Sequence, residues 1–289
     1  MHAYRPLVLC ADDFGLAPGV DDAILQLAEA GRISAISCMT VLPDWPGASS
    51  RLERQANNSD VGLHLTLTDY APLGSMPKLA PAGKLPALSK LLSAAMAGAL
   101  RRDGVTTEIS AELARQWDAF TQVRGRLPDF IDGHQHIHLL AGVREAVIDM
   151  VSRRPAAERP WLRVCWEAPT RILRRRVAVS KAMLLSALSL PIRRAARRRG
   201  LVTNDSFRGV HDFAVDADYR RLFRQFLRGS AQRPMIMCHP GLIDDRLRAV
   251  DQVVEPRRHE YDYFASPHFA ADLSESGFFI ARFRDFAAS

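Results

Sequence analysis

Short apolar runs alternate along this chain with longer stretches whose apolar positions recur at helical spacing. The first run, Leu7-Val8-Leu9-Cys10-Ala11, ends in Asp12-Asp13 and then Gly15. It predicts a buried parallel strand that delivers carboxylates to a sheet rim. Adjacent side chains on a regular strand point to opposite faces. For both acids to serve one site, the strand therefore has to end at or just before Asp12. A helix N-cap is the alternative use of such acids. Val20, Ile24, Leu27 and Ala28 follow at helical spacing between Pro18 and Gly31, residues that commonly open and close helices.

Further strands are predicted at residues 35–42, 61–68, 130–138, 161–166, 206–210, 234–238 and 278–283. Helices are predicted at 46–56, 88–102, 107–124, 143–153, 218–228 and 261–276. Residues 69–86 are rich in Pro and Gly and lack a period, which reads as a lid or binding loop. Alternating strands and helices call for an α/β fold with a parallel sheet. Seven or eight such units in 289 residues suit a TIM-barrel-like (β/α) barrel, irregular in detail, better than an open sheet. No repeat or low-complexity linker divides the chain, so a single domain over 1–289 is expected.

Composition changes this picture in two places. The chain has no run of about 20 apolar residues, so a spanning helix is not expected. The N-terminus runs straight into the first strand, which leaves no room for a signal peptide. Cys10, Cys38, Cys165 and Cys238 each lie in an apolar run with no CxxC pair, and read as buried thiols of a reducing, cytoplasmic compartment. The net charge of +7 is local: residues 171–200 hold ten Lys or Arg and no acid, more than the whole excess.

The polar residues that interrupt the apolar strands fall near their C-terminal ends, where barrel enzymes keep their active sites. They are Asp12 and Asp13, His64, the Asp132-Gly133-His134-Gln135-His136-Ile137-His138 stretch, and His239 after Cys238. A lone histidine on a strand is usually structural, but four strand ends bearing Asp or His read as a metal site. One carboxylate with two imidazoles leaves coordination positions for water and substrate, as a catalytic divalent ion requires. On a regular strand His134, His136 and His138 share one face, and spacing alone does not rank them as ligands, substrate contacts or supporting groups. Such an ion polarises a carbonyl and activates water. Asp12 beside it can take a proton, His239 on the opposite rim can supply one, and Asp132 can orient an imidazole. Arg163, a charge inside an apolar strand, either pairs with a site carboxylate or contacts substrate. Trp45 and Trp166 are candidates to stack on a substrate ring, although burial is the commoner fate of such residues.

Four stretches together resemble one family: Ala11-Asp12-Asp13-Phe14-Gly15-Leu16-Ala17-Pro18-Gly19, Gly62-Leu63-His64-Leu65-Thr66-Leu67-Thr68, the residue 132–138 stretch, and Cys238-His239-Pro240-Gly241. They look like the YdjC-like carbohydrate deacetylases, and the likeness runs on to Arg258-x-Glu260-Tyr261. The resemblance implies a barrel-like fold and removal of an N-acetyl group from an amino sugar. It also implies one divalent ion (Mg or Zn) held by Asp13, His64 and His134, with Asp12 as general base. Gly133 stands where the family often has Ser.

The basic segment has an apolar centre, Ala182 to Leu190, flanked by arginine clusters. That pattern suits an interfacial helix drawn to anionic lipid, the alternative being a solvated barrel helix with a basic outer face. No RNA- or DNA-binding motif accompanies the charge, so nucleic acid is disfavoured. The Arg-rich insert before Asn204-Asp205-Ser206-Phe207 is similar to the family branch associated with hopanoid biosynthesis. That likeness implies a lipid-linked N-acetylated sugar at the inner face of the membrane. The competing expectations are a soluble chito-oligosaccharide deacetylase, a phosphoesterase on the same rim, and a peripheral membrane or nucleic-acid-binding protein with a degenerate site. A homodimer is the expected assembly if the chain self-associates.

Overall fold

Residues Arg5–Phe14 form β1, buried from Leu7 onward, and the rest of the sheet is arranged about it. The computed structural model describes residues 4–53, 58–229 and 231–285. The remaining strands are β2 (Ala35–Cys38), β3 (Asp60–Leu65), β4 (Phe130–Gly133), β5 (Trp161–Leu162), β6 (Ser206–Arg208), β7 (Pro234–Cys238) and β8 (Phe278–Ile280). Every pairing is parallel, and the strand order is β5-β4-β3-β2-β1-β7-β6. β8 pairs with the first residues of β1, Arg5 to Leu7, and β7 with the next, Val8 to Ala11.

Parallel neighbours need crossover connections, and helices supply them on the outside. They are α1 (Pro18–Glu29), α2 (Trp45–Leu52), α3 (Leu88–Met96), α4 (Val105–Arg124), α5 (Val143–Ser152), α6 (Pro169–Arg175), α7 (Val179–Arg198), α8 (Tyr219–Phe226), α9 (Asp245–Val250), α10 (Glu255–Ala265) and α11 (Pro267–Glu275). The predicted helix at 261–276 is thus two helices, broken at Ser266-Pro267, since the residue before a proline is pushed out of the helical region. Of the predicted helix at 46–56, residues 54–56 lie outside the described residues.

The two edge strands, β5 and β6, come back together at a seam held largely by one side chain. Leu162 N donates to Val202 O at 2.9 Å and Phe207 N to Trp166 O at 3.0 Å. Between them Asn204 Oδ1 accepts from Val164 N at 2.8 Å, and its Nδ2 donates to Val164 O at 2.9 Å and Ser206 O at 3.1 Å. The fully buried amide stands in for the missing ladder bonds. The result is the irregular single-domain barrel expected from the strand–helix alternation.

Two strand exits differ from expectation. β1 does not stop before Asp12 but runs to Phe14, with an irregularity between Ala11 and Phe14 in its register with β2. Asp13 there adopts a left-handed φ of 70°, a conformation Asp tolerates, and this turns both carboxylates inward. Gly15 follows with φ 92°, where a Cβ would lie 2.8 Å from Met39 O. The second correction is that residues 134–138 are not strand. β4 ends at Gly133, and His134–Leu139 is a 3₁₀ turn in which Gln135 (φ 51°) and His136 (φ 61°) are left-handed. The three histidines therefore do not share a strand face.

Candidate active site

The C-terminal rim of the barrel gathers the polar residues singled out from the strand ends. His64 and Asp132 are register partners on β3 and β4, so the ladder itself sets them side by side. Asp132 Oδ1 lies 2.6 Å from His64 Nδ1, and Ser37 Oγ, on β2, donates to the same oxygen at 2.5 Å. A carboxylate partner at Nδ1 fixes the ring so that Nε2 faces the rim. There His64 Nε2 lies 3.3 Å from Asp13 Oδ1, and His134 Nδ1 lies 2.8 Å from the same oxygen. Asp13, His64 and His134 offer three donor atoms within 4.8 Å of one another.

Behind these donors runs a continuous chain of buried charges. Arg163 Nη1 lies 2.6 Å from Asp12 Oδ1 and 2.9 Å from Asp132 Oδ2, and its Nη2 is 2.9 Å from Asp12 Oδ2. Arg163 therefore pairs with two site carboxylates. On the other side, Arg257 Nη2 donates to Asp13 Oδ2 and to Asp251 Oδ2, each at 2.6 Å. Burial alone would raise the Asp13 carboxyl, but Arg257 and then His134 hold it well below the usual carboxylate range. Asp132 is likewise held low against burial by Arg163 and His64.

Four carboxyl groups (Asp12, Asp13, Asp132, Asp251) face two guanidinium groups in this network, an excess of acids. A carboxylate oxygen and two imidazole nitrogens converging at that excess fit one divalent cation. A second grouping, Cys10, Asp12 and Asp132, is less suited, because Arg163 already pairs with both acids.

His239 follows β7, with Nε2 3.8 Å from Asp12 Oδ2 across the rim. Its backbone N donates to Glu260 Oε2 at 2.6 Å, and Glu260 Oε1 meets His211 Nε2 at 3.0 Å. Burial pushes the His239 imidazole below its ordinary value, although Asp13, Asp12 and Glu260 oppose this. Phe213, itself left-handed at φ 55°, sets its ring edge-on to His239 at 5.2 Å.

The other candidates divide. His136 is half-buried, with Nδ1 3.6 Å from Cys165 Sγ and its ring edge-on to Phe207. His138 is wholly buried and makes no side-chain hydrogen bond among the described residues. Trp45 is buried, stacks on Phe120 at 5.7 Å and donates to Ala119 O, which places it in the core. Trp166 carries Arg193 over its ring at 4.1 Å, on the α7 side. The loop at 69–86 is pinned: Glu112 accepts from the backbone of Leu73 and Gly74, and Glu108 from that of Lys78 and Leu79. Arg257, Ser37 and His211 were not singled out by sequence, and Glu260 was named only as the end of the family likeness, with no role. The Arg257-Arg258 pair marks the right place, but Arg258 points outward to Asp262.

The sequence profile of the YdjC-like proteins matches residues 6–275. The chain belongs to this family. Among its relatives, a chitooligosaccharide deacetylase of Enterobacter sp. (strain 638) is 28% identical over 283 residues, 96% of this chain and 98% of the relative. A carbohydrate deacetylase of Geobacillus stearothermophilus is 28% identical over 287 residues, 98% of each chain. A crystal structure of an Enterococcus faecalis V583 protein, provisionally described as a cellobiose-phosphate cleavage protein, superposes with a TM-score of 0.73. It is 20% identical and covers 98% of this chain and 99% of its own, and that likeness concerns the fold. Across the YdjC-like chain described here, no helix among the described residues is long and apolar enough to cross a membrane.

Proposed function

We propose that this YdjC-like protein is a carbohydrate deacetylase that hydrolyses the N-acetyl group of an N-acetylglucosamine-type sugar with the help of one divalent cation. The observation that carries the reading is the convergence of Asp13, His64 and His134 beside Asp12, with His239 facing Asp12 across the rim. The names of the relatives agree with it.

Asp13, His64 and His134 would hold the cation, which when bound polarises the acetyl carbonyl and makes water more acidic. Asp12 takes the proton of the attacking water. Arg163 keeps that carboxylate oriented through two hydrogen bonds, so its position is fixed. Oxygen adds to the acetyl carbon, the C–N bond breaks, and the nitrogen needs a proton to leave as an amine. His239, neutral because it is buried, receives the proton by way of Asp12 Oδ2 and passes it on to that nitrogen. Glu260 fixes the backbone of His239, and Asp132 with Ser37 fixes His64.

A finer reading, a lipid-linked sugar presented at an anionic membrane, is favoured by α7. Its exposed positions Leu184, Ala187, Pro191, Arg194 and Arg198 form one stripe at helical spacing, apolar at one end and basic at the other, while the Lys181 ammonium turns to His211 O at 2.8 Å. Leu184 is 60% exposed and Leu173, on α6, 55%.

Acetate release is the test of the activity. It is expected from an N-acetylglucosamine conjugate, abolished by a chelator and restored by a divalent ion. No acetate from soluble chitobiose or from a lipid-linked N-acetylglucosamine would refute the deacetylase reading.

A further inference from the structure

Seven residues other than glycine have a positive φ among the described residues, and five of them stand at the strand exits of the rim: Asp13, Asp69, Gln135, His136 and Phe213. Such conformations are disfavoured and survive where surrounding structure enforces them, most often at functional sites. Asp13 belongs to the charge network already described, and His136 packs against Cys165 and Phe207. Asp69 and Gln135 have no part in that network, yet Gln135 directly follows His134, and Tyr70, directly after Asp69, sets its ring 6.0 Å from that of His134. The two strained turns, one after β3 and one after β4, meet through a single bond from Gln135 Nε2 to Asp69 Oδ2, 3.0 Å long and open to solvent.

On the deacetylase reading above, we propose that Asp69 and Gln135 form the subsite that reads the ring hydroxyl groups next to the acetamido carbon. The chemistry suits that ligand. Asp69 Oδ1 and Gln135 Oε1 accept no hydrogen bond among the described residues, so two acceptors and one remaining amide N–H point outward from a preset pair. Vicinal sugar hydroxyls, each both donor and acceptor, complement such a pair. The scissile amide has to reach the Asp13, His64 and His134 cluster, and a hydroxyl one carbon away on the ring then falls beside the residue next to His134. The Asp69 turn is held from behind, where Asp69 N donates to Pro86 O at 3.2 Å and Leu85 N to Tyr70 O at 2.8 Å. The subsite is therefore rigid before the sugar arrives.

Asp69→Asn separates this role from a mere latch, because its amide oxygen still accepts from Gln135 while the charge is lost. The comparison uses the N-acetylated sugar and its analogue lacking the hydroxyl beside the acetamido carbon. Asp69→Asn is expected to raise KM for the intact sugar by roughly tenfold with kcat kept, and to change KM for the deoxy analogue by less than about twofold. Thermal midpoint and metal content should stay at the parent values. Equal losses on both sugars, or none on either, would overturn the proposal. Calorimetric binding of the same two sugars reads the pair without turnover, and an unchanged affinity difference between them in Asp69→Asn would also overturn it. Absence of acetate release by the parent enzyme counts instead against the deacetylase reading.

Discussion

Arg163 grips Asp12 by both oxygens, with Nη1 2.6 Å from Oδ1 and Nη2 2.9 Å from Oδ2, and all of it is out of solvent. The same Nη1 lies 2.9 Å from Asp132 Oδ2, so one guanidinium balances two buried carboxylates. Removing one partner of a buried pair leaves uncompensated charge and costs about 3–5 kcal/mol. Arg163→Met should lower unfolding stability by about that amount in urea titration. A loss below about 1 kcal/mol would mean that the acids take up protons or water at little cost.

Asp12→Asn tests the proton role without that penalty on the acid side. The amide keeps one acceptor for Arg163 but cannot take a proton, so kcat should fall by about 10²–10⁴, the usual worth of general base catalysis. Because Asp12 is not among the three convergent donors, divalent-ion content measured by elemental analysis should not change. Full activity in Asp12→Asn would remove the proton relay to His239.

His138 gives a signed pH dependence of stability. Burial, then Arg163, pushes its imidazole down to about 3, with Asp132 opposing. The unfolded imidazole titrates near about 6.5, so between these values the unfolded chain binds a proton that the folded chain refuses. No such cost exists above about pH 6.5, and below it stability falls with the pH, the loss amounting to about 2 kcal/mol at pH 5. His138→Leu should remove that slope. At pH 7 it should cost little, since neither ring nitrogen has a hydrogen-bond partner to lose. Denaturant midpoints at pH 7 and pH 5 for the two proteins decide it, and parallel slopes would assign the acid lability to other groups.

The strands were legible because each buried strand is an apolar run, and the candidate site could be proposed because Asp12, Asp13, His64 and His239 interrupt or end those runs. Geometry that depends on rare backbone states was not. Asp13, Gln135 and His136 turn left-handed without a Gly to announce it, so a regular strand was the natural reading of 134–138. Gly133 is the visible trace: a Cβ there would lie 2.9 Å from His138 Nδ1, so the tight turn brings that ring back onto its own strand end. Arg257 was hidden by its neighbour, since two adjacent arginines at a helix start do not say which one faces inward. Asn204 at the seam was read as part of a motif, whereas its weight in the fold comes from contacts across 40 residues.

That seam makes a prediction of its own. Asn204 donates through Nδ2 to two carbonyl oxygens, so Asn204→Asp sets a carboxylate against both Val164 O and Ser206 O. Asn204→Asp should therefore destabilise by more than about 2 kcal/mol at neutral pH, and less below the carboxylate range where the acid regains a proton. Thermal scans at pH 7 and pH 4.5, each compared with the parent at that pH, check the sign. A penalty that grows at the lower pH would rule out the repulsion.

The outer face of α7 can be tested without dismantling the barrel. Deleting the basic segment would not serve, because Ile172, Ser186, Ile192 and Ala196 are buried and Ser186 Oγ bonds both the N and the O of Glu167. Substituting only the exposed stripe avoids this: Leu184→Asp removes the apolar centre, and Arg194→Glu with Arg198→Glu reverses the charge. Each basic residue near an anionic surface contributes about 1 kcal/mol, and each reversal adds repulsion of similar size. The triple variant should therefore lose at least tenfold in affinity for vesicles containing anionic lipid. Its rate on a soluble N-acetylated chito-oligosaccharide should not change, since none of the three residues takes part in the charge network of the rim. Sedimentation with vesicles of graded anionic content measures the first, and acetate release the second. Vesicle binding by the parent that is absent, or unchanged in the variant, would leave α7 a solvated barrel helix and the substrate a soluble sugar.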